Sequence, residues 1–445
     1  MIALNDQNLQ LKVVPTDSLI EYVRNPRKND AVVDRMISCI KEFGFRIPIV
    51  AKSDGSVVDG HLRLKAAKKL GLKEVPIVIA DDLSDAQIKA FRLIANQSAN
   101  WAEWDEELLK LEFEELKDLN FDLNLTGFDL GEVDRLLSED KEIREDDFKE
   151  EVSQNEPIIS QTGDLWLLGE HRLLCGNSII KSDIERLMDG RVADMVFTDP
   201  PYNVKVSSIS GLGATHHSEF PMASGEMSDK EFIEFLTNVF KNLVSSSKDG
   251  SIHYVCMDWK HIYEIVTAGR NVYQELKQLC VWNKGIGGMG TFYRSQHELI
   301  FVFKNGDAKH TNNFGLGETG RYRTNVWDYS GMNNFSNEGR EELLKMHPTV
   351  KPLKLVADAI LDCSNYGELI LDLFGGSGTT LIACEETNRK CCMMEMDPKY
   401  VDTIIRRWQQ RDVASEDSLR EGGKYRVIHA ETGKTFDELS KERAG

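Results

Sequence analysis

Leu369-Ile370-Leu371-Asp372-Leu373-Phe374-Gly375-Gly376-Ser377-Gly378-Thr379-Thr380 reads as an apolar strand, a glycine turn and the start of a helix. Gly375, Gly376 and Gly378 let the backbone turn sharply and approach a ligand closely. The helix runs on through Leu381-Ile382-Ala383-Cys384-Glu385. A second apolar run, Lys390-Cys391-Cys392-Met393-Met394-Glu395, ends in an acid about 20 residues beyond the glycines. Strand, glycine turn, helix, strand and acid make the nucleoside-binding half of a doubly wound α/β fold, with the acid on ribose hydroxyls. No lysine follows these glycines, as a P-loop requires, and they lack the G-x-G-x-x-G spacing of a dinucleotide site.

A second stretch supplies chemistry. The apolar run Asp194-Met195-Val196-Phe197-Thr198 is followed by Asp199-Pro200-Pro201-Tyr202. Two prolines cannot continue a strand, so the backbone leaves the sheet there with a carboxylate, a carbonyl and an aromatic ring held together. That set suits a planar substrate with an exocyclic amine. Asp199 and the Pro200 carbonyl each accept one N–H, and Tyr202 stacks on the ring. Two acceptors favour a pyramidal nitrogen whose lone pair is free for in-line transfer. A cytosine-C5 enzyme needs a nucleophilic cysteine, typically after proline, and the chain has no Pro-Cys dipeptide.

Together these motifs resemble the amino-group (N6-adenine/N4-cytosine) DNA methyltransferases, which use S-adenosyl-L-methionine. Asp-Pro-Pro-Tyr precedes the Phe-x-Gly-x-Gly motif, the order of the beta class. His347-Pro348-Thr349-Val350-Lys351-Pro352 precedes the glycine loop, as in that class, and leads into a helix from Leu355 to Cys363. The resemblance implies a Rossmann-like methyltransferase fold with a doubly wound mixed sheet. It implies cofactor contacts at Phe374, Gly375, Gly376 and Gly378, with Asp372 near the methionine part and Glu395 on the ribose. Thr349 and Lys351 lie near the methionine carboxylate, and Asn177 stands where the family often has an acid near the adenine. Asp199, Pro200, Pro201 and Tyr202 hold a base flipped out of double-stranded DNA. Asp at the first motif position is more typical of adenine-N6 than of cytosine-N4 enzymes, so adenine is preferred and cytosine stays the alternative. A non-catalytic DNA- or nucleotide-binding regulator and a methyltransferase of proteins or small molecules are readings from other classes. The DNA reading makes a homodimer or a cognate restriction enzyme a conceivable partner.

Residues 203–345 hold three expected strands, Ser251–Cys256, Leu279–Trp282 and Glu298–Phe303, and otherwise a target-recognition region. Its candidates are Tyr293 and Arg294, then Arg321, Arg323 and Asn325, because Arg and Asn read guanine and adenine edges. The serine-rich stretch from Val204 to Ser228 reads as a loop before a helix near Lys230–Leu243.

Residues 1–100 form a separate module. Asn25-Pro26-Arg27, a helix with Val33, Met36, Ile37 and Ile40 on one face, and Asp59-Gly60-His61-Leu62-Arg63 resemble a ParB/sulfiredoxin-like α+β domain. Asn25, Arg27, Gly60, His61 and Arg63 are its candidate ligand residues, since a turn backbone plus an arginine at a helix start suits a phosphate. Partition proteins carry Gly-Glu-Arg-Arg here and sulfiredoxins a cysteine. This chain has neither, and the readings are a DNA-docking module, a nucleotide-binding domain or a vestigial scaffold, with DNA docking or an accessory role preferred.

The 445 residues suffice for more than one core, and the net charge is −19. Residues 103–156 carry 21 acids against 6 bases, a local net of −15, so the remainder is nearly balanced. The stretch 101–157 reads as an acidic helical linker, 158–412 as the methyltransferase domain and 413–445 as a charged tail with one edge strand. The eight cysteines lack Cys-x-x-Cys spacing, so no metal site is expected. With no membrane-length apolar run and no signal peptide pattern, the expectation is a cytoplasmic protein.

Overall fold

The computed structural model describes residues 11–27, 29–98, 101–119, 121–138, 143, 157–204, 223–285, 287, 292–314, 321–329, 351–413 and 426–443. The chain divides into two compact units, Met1–Glu139 and Asp140–Gly445.

In the first unit, β1 (Leu11–Pro15), β2 (Ile49–Ala51), β3 (Val57–Asp59) and β4 (Glu74–Ile79) form a sheet in the order β1-β4-β2-β3. β2 runs parallel to β4, and the other pairs are antiparallel. Ile49, Val57, Leu64, Ala67, Val75 and Ile77 fill the core between this sheet and the helix His61–Leu70. Ser84 and Gln87 form a reciprocal cap on the helix Asp85–Gln97.

Of the segment read as an acidic helical linker, residues 106–119 and 121–138 fold as part of the first unit, and residues 120, 139–142 and 144–156 lie outside the described residues. Helices Glu106–Asp118 and Leu130–Ser138 bury Leu109, Phe113, Val133 and Leu136. The Arg35 guanidinium donates to the Gly127 and Phe128 carbonyls, and the Phe43 and Phe121 rings stack at 6.0 Å. Most of the segment's described charges are exposed, though Asp134 is buried; the two helices pack on each other, and the turn Leu123–Thr126 between them meets the helix Val33–Phe43.

The second unit is built on ten strands: β5 (Leu165–Leu168), β6 (His171–Cys175), β7 (Ala193–Thr198), β8 (Ser247–Met257), β9 (Glu275–Asn283), β10 (His297–Lys304), β11 (Val326–Asp328), β12 (Leu369–Asp372), β13 (Lys390–Glu395) and β14 (Val427–His429). Their order is β11-β9-β10-β8-β7-β12-β13-β6-β5-β14. The central strands β8, β7, β12, β13 and β6 are parallel, and β10 and β5 run against them. Two cores cover the two faces. Strands buried on both sides explain the continuous apolar runs of the sequence. The helix Asp229–Ser245 starts on a Ser228/Glu231 capping box and buries Phe232, Leu236, Val239, Phe240 and Leu243 along one stripe.

From β7 the chain moves outward to β8. From β12 it moves the other way to β13. The order reverses between β7 and β12, which makes their carboxyl ends the topological switch point where ligands bind in such sheets.

The C-terminal residues are more than a charged tail. β14 is the edge strand on β5, and the helix Phe436–Arg443 buries Phe436 and Leu439, with Phe436 edge-on to Trp166. Among the described residues no helix is long and apolar enough to cross a membrane.

Candidate active site

β7 ends at Thr198 because Pro200 and Pro201 cannot pair further. The neighbouring β12 ends at Asp372. The Thr198 hydroxyl donates to Asp372 Oδ1 at 2.9 Å, which joins the Asp-Pro-Pro-Tyr strand end to the glycine loop.

Asp199 stands in a buried charged network. Lys351 Nζ donates to Asp199 Oδ2 at 2.5 Å, to Glu298 Oε1 at 2.7 Å and to the Tyr202 hydroxyl at 3.3 Å. The Tyr202 hydroxyl lies 2.6 Å from both Asp199 Oδ1 and Glu298 Oε1, and its single proton serves one of them at a time. Lys284 Nζ donates to Glu298 Oε2 at 2.6 Å. Two carboxylates and two ammoniums balance, so the cluster is neutral.

The two carboxyls are not equivalent. Burial raises both, but Lys351 and Lys284 together outweigh it at Glu298 and hold that group at about 2. Asp199 shares only Lys351, and burial with the nearby Glu298 charge pushes it up. Glu298 is therefore the fixed anion and Asp199 the group able to take up a proton. The Cys256 thiol, with Asp199 and Glu298, would resemble a metal donor set, but the Lys351 ammonium is the cation these groups hold.

The glycine loop faces the same rim. A Cβ on Gly375 would stand 2.8 Å from Met393 Sδ, so the β12–β13 packing demands glycine there. Gly376 has φ +52°, and a Cβ added to it would meet nothing within 4 Å, which leaves its backbone open to a ligand. Gly378, at φ +86°, precedes the helix Thr379–Glu386. Glu395 at the end of β13 accepts from the Gly376 amide at 2.8 Å and from the Asp397 amide at 2.9 Å. Burial raises Glu395 and Asp372 each to about 7. The Gly176 amide donates to the Glu395 carbonyl at 3.0 Å, which brings the Asn177 turn to this place. The Asn177 side-chain oxygen accepts from the Ile179 amide at 3.1 Å. An open glycine backbone beside a carboxylate with capacity to accept from hydroxyls fits a nucleoside-bearing cofactor.

Several expected residues stand elsewhere. Lys351, expected near the cofactor's methionine carboxylate, is buried against Asp199 and Glu298 instead. Tyr202, by contrast, stands beside Asp199 as expected from the motif, with its hydroxyl engaged in the same network. Thr349 lies outside the described residues. Arg321 and Arg323 bond Asp362 at 2.8 Å each, and Arg323 also donates to the Tyr329 hydroxyl at 2.9 Å. Asn325 donates to the Leu279 carbonyl at 3.3 Å. These three hold the edge of the sheet and the helix Leu353–Cys363, and they do not join the site. Tyr293 and Arg294 are exposed.

In the first unit, His61 Nε2 accepts from the Tyr22 amide at 3.2 Å, and burial lowers the imidazole's proton affinity. Arg63 is turned to Asp59 at 2.9 Å, so it does not stand free at the helix start. Gly60, at φ +97°, makes the turn before that helix. Asn25 Oδ1 accepts from the Arg27 amide at 3.2 Å, and Arg27 donates to the Asn96 carbonyl at 3.3 Å.

Sequence reasoning missed Glu298 and Asn203. Glu298 heads the apolar run of β10, and a lone acid there is a signal, because a buried carboxylate must find partners. Asn203 has φ +53°, and its side chain accepts from the Gly225 and Met227 amides and donates to the Met227 carbonyl. It fixes the chain on the far side of the motif.

Residues 193–406 match the DNA methylase family of N6/N4 enzymes, 3–97 the ParB N-terminal domain and 107–162 the ParB-methyltransferase HTH domain. The chain thus joins an N6/N4 DNA methylase domain to a ParB N-terminal domain and a ParB-methyltransferase HTH domain, and it is an S-adenosyl-L-methionine-dependent DNA methyltransferase. It is 26% identical over 248 residues to the type II methyltransferase M.HpaI of Haemophilus parainfluenzae, covering 52% of this chain and 72% of the relative. It is 28% identical over 260 residues to M.HinfI of Haemophilus influenzae (53% and 68%). It is 26% identical over 253 residues to the DNA adenine methyltransferase YhdJ of Escherichia coli (51% and 79%). A solved DNA modification methylase of Thermus thermophilus with S-adenosyl-L-methionine is 20% identical, with TM-score 0.37 over 54% of this chain and 93% of that one.

Proposed function

We propose that the enzyme methylates the N6 amine of adenine in double-stranded DNA. Adenine is preferred to cytosine because Asp opens the Asp-Pro-Pro-Tyr motif and because YhdJ, one of the relatives, is a DNA adenine methyltransferase. The observation that carries the mechanism is the Thr198–Asp372 hydrogen bond, which sets the base motif against the glycine cradle at the switch point.

Phe374, Gly375, Gly376 and Gly378 would hold S-adenosyl-L-methionine, with Glu395 on its ribose, and the bound cofactor would supply an electrophilic methyl group. The flipped base presents its amine to Asp199 and the Pro200 carbonyl, which accept its two N–H groups. Lys351 then gives up Asp199 Oδ2 and keeps Glu298 Oε1. The amine lone pair turns toward the cradle, where the N–C bond would form as the methyl–sulfur bond breaks and its electron pair stays on sulfur as a neutral thioether. One amine proton passes to Asp199, whose raised proton affinity suits it as acceptor. Glu298, held as an anion, keeps Lys351 and Tyr202 beside that carboxyl. The ParB-like unit serves as a DNA-docking module, residues 158–412 as the catalytic domain, and the protein acts in the cytoplasm.

The test is transfer of labelled methyl to unmethylated genomic DNA, followed by nucleoside mass spectrometry. N6-methyladenine is the expected product. N4-methylcytosine would overturn the choice of base, and unlabelled DNA would overturn the substrate.

A further inference from the structure

The connection from β9 to β10 carries two aromatic side chains that the enzyme's own fold does not use. Phe292 is 86% exposed and Tyr293 85% exposed. Their ring centroids lie 4.5 Å apart at 61°, so each ring packs against the other. Arg294 follows directly and is exposed too.

Their position in the fold is specific. β9 runs parallel to β7, because β10 is antiparallel to both β8 and β9 while β8 is parallel to β7. The end of β9 at Asn283 and the start of β10 at His297 therefore lie on the rim that holds Asp199 and the glycine loop. The root of the connection is tied to the site: Lys284 bonds Glu298 at 2.6 Å, and Glu298 lies 2.6 Å from the Tyr202 hydroxyl. Tyr322 is 80% exposed as well, but it precedes β11, which is parallel to β9, and so lies toward the opposite rim.

An amine that must reach Asp199 cannot do so from within a duplex, so the base leaves the stack and a gap opens. Proteins that hold DNA in such unstacked states insert apolar side chains between base steps. Two rigid aromatics with a neighbouring cation match that need, since rings stack on bases of any sequence and arginine meets phosphate. We propose that Phe292 and Tyr293 form a wedge that enters the duplex and fills the gap left by the target base. This rests on the DNA reading above and adds the part that stabilises the extruded state.

The test uses duplexes bearing the target site mapped from methylated genomic DNA, with the target base paired normally or opposite an abasic site. The abasic partner removes most of the pairing to be broken. For the full-length Phe292→Ala/Tyr293→Ala variant, kcat/KM should fall by about tenfold or more on the paired duplex. It should fall by less than about threefold on the abasic duplex, because extrusion is easier there. Tyr322→Ala should leave both substrates unchanged. An equal loss on the two duplexes, or no loss on the paired one, overturns the wedge while wild-type methylation of either keeps the DNA reading intact. Failure of the wild-type enzyme to methylate either duplex overturns both. A melting curve of the double variant matching wild type guards against misfolding, and both side chains lie outside the cores.

Discussion

Two charged clusters lie at opposite ends of one helix, Leu353–Cys363, and they are nearly the same in composition. Each contains two carboxylates, two cations and a tyrosine. Lys351, just before the helix, gathers Asp199, Glu298 and Tyr202, with Lys284 behind. Near its far end Asp358 and Asp362 meet Arg321, Arg323 and Tyr329. The first lies at the carboxyl ends of β7 and β12, and the second beside the edge strand β11. The cations also differ. A lysine ammonium is a point charge that moves between neighbouring carboxylates, whereas a guanidinium locks a planar geometry. A buried cluster becomes a site when it lies at the switch point and its cation can be displaced. Otherwise it is a clamp.

The comparison breaks if the clusters respond alike to loss of a member. The largest effect is expected at Asp199→Ala. Its turnover should drop by roughly 10²–10⁴-fold, with cofactor affinity within a few fold, as for loss of a proton acceptor. A large loss of cofactor binding in isothermal titration would contradict that role. Arg323→Ala, at the clamp, should destabilise the fold by about 3 kcal/mol, because Asp362 keeps only Arg321. Its kcat per folded molecule should stay near wild type in denaturation and activity measurements. A loss of turnover without a loss of stability would make the clamp a site.

Glu395→Ala sharpens the division between base and cofactor groups. It should weaken S-adenosyl-L-methionine binding by about 1–3 kcal/mol, the worth of a hydrogen bond to a charged group. Unchanged affinity would remove the ribose contact. The smallest effect is in pH. Glu395 titrates at about 7 when the cofactor is absent, and accepting hydroxyl protons favours its ionised form. Cofactor affinity should therefore rise by about tenfold from pH 6 to pH 8 and then level off. In Glu395→Gln that rise should shrink, leaving only the share of Asp372, which burial also raises to about 7.

Much of the catalytic half was legible in the chain. The glycines, Glu395 and the Asp-Pro-Pro-Tyr break are local signals, since each reports a backbone constraint or a ligand group at a strand end. Arg321 and Arg323 misled, because an arginine in a loop reads the same whether it faces DNA or an aspartate on a distant helix. The acidic segment was legible as helical but not as part of the first unit. Its charge is visible residue by residue, but the stripe of Leu109, Phe113, Val133 and Leu136 has a partner only after folding.

The sequence by itself determined the order of motifs, the doubly wound class and the glycine turn, because proline, glycine and apolar periodicity act over a few residues. Only the tertiary structure decided that Glu298 joins Asp199 and that Lys351 bonds both. Lys351 and Asp199 lie 152 positions apart in the chain. Contacts at that separation come from strand order, and strand order follows from burying both faces of the sheet at once.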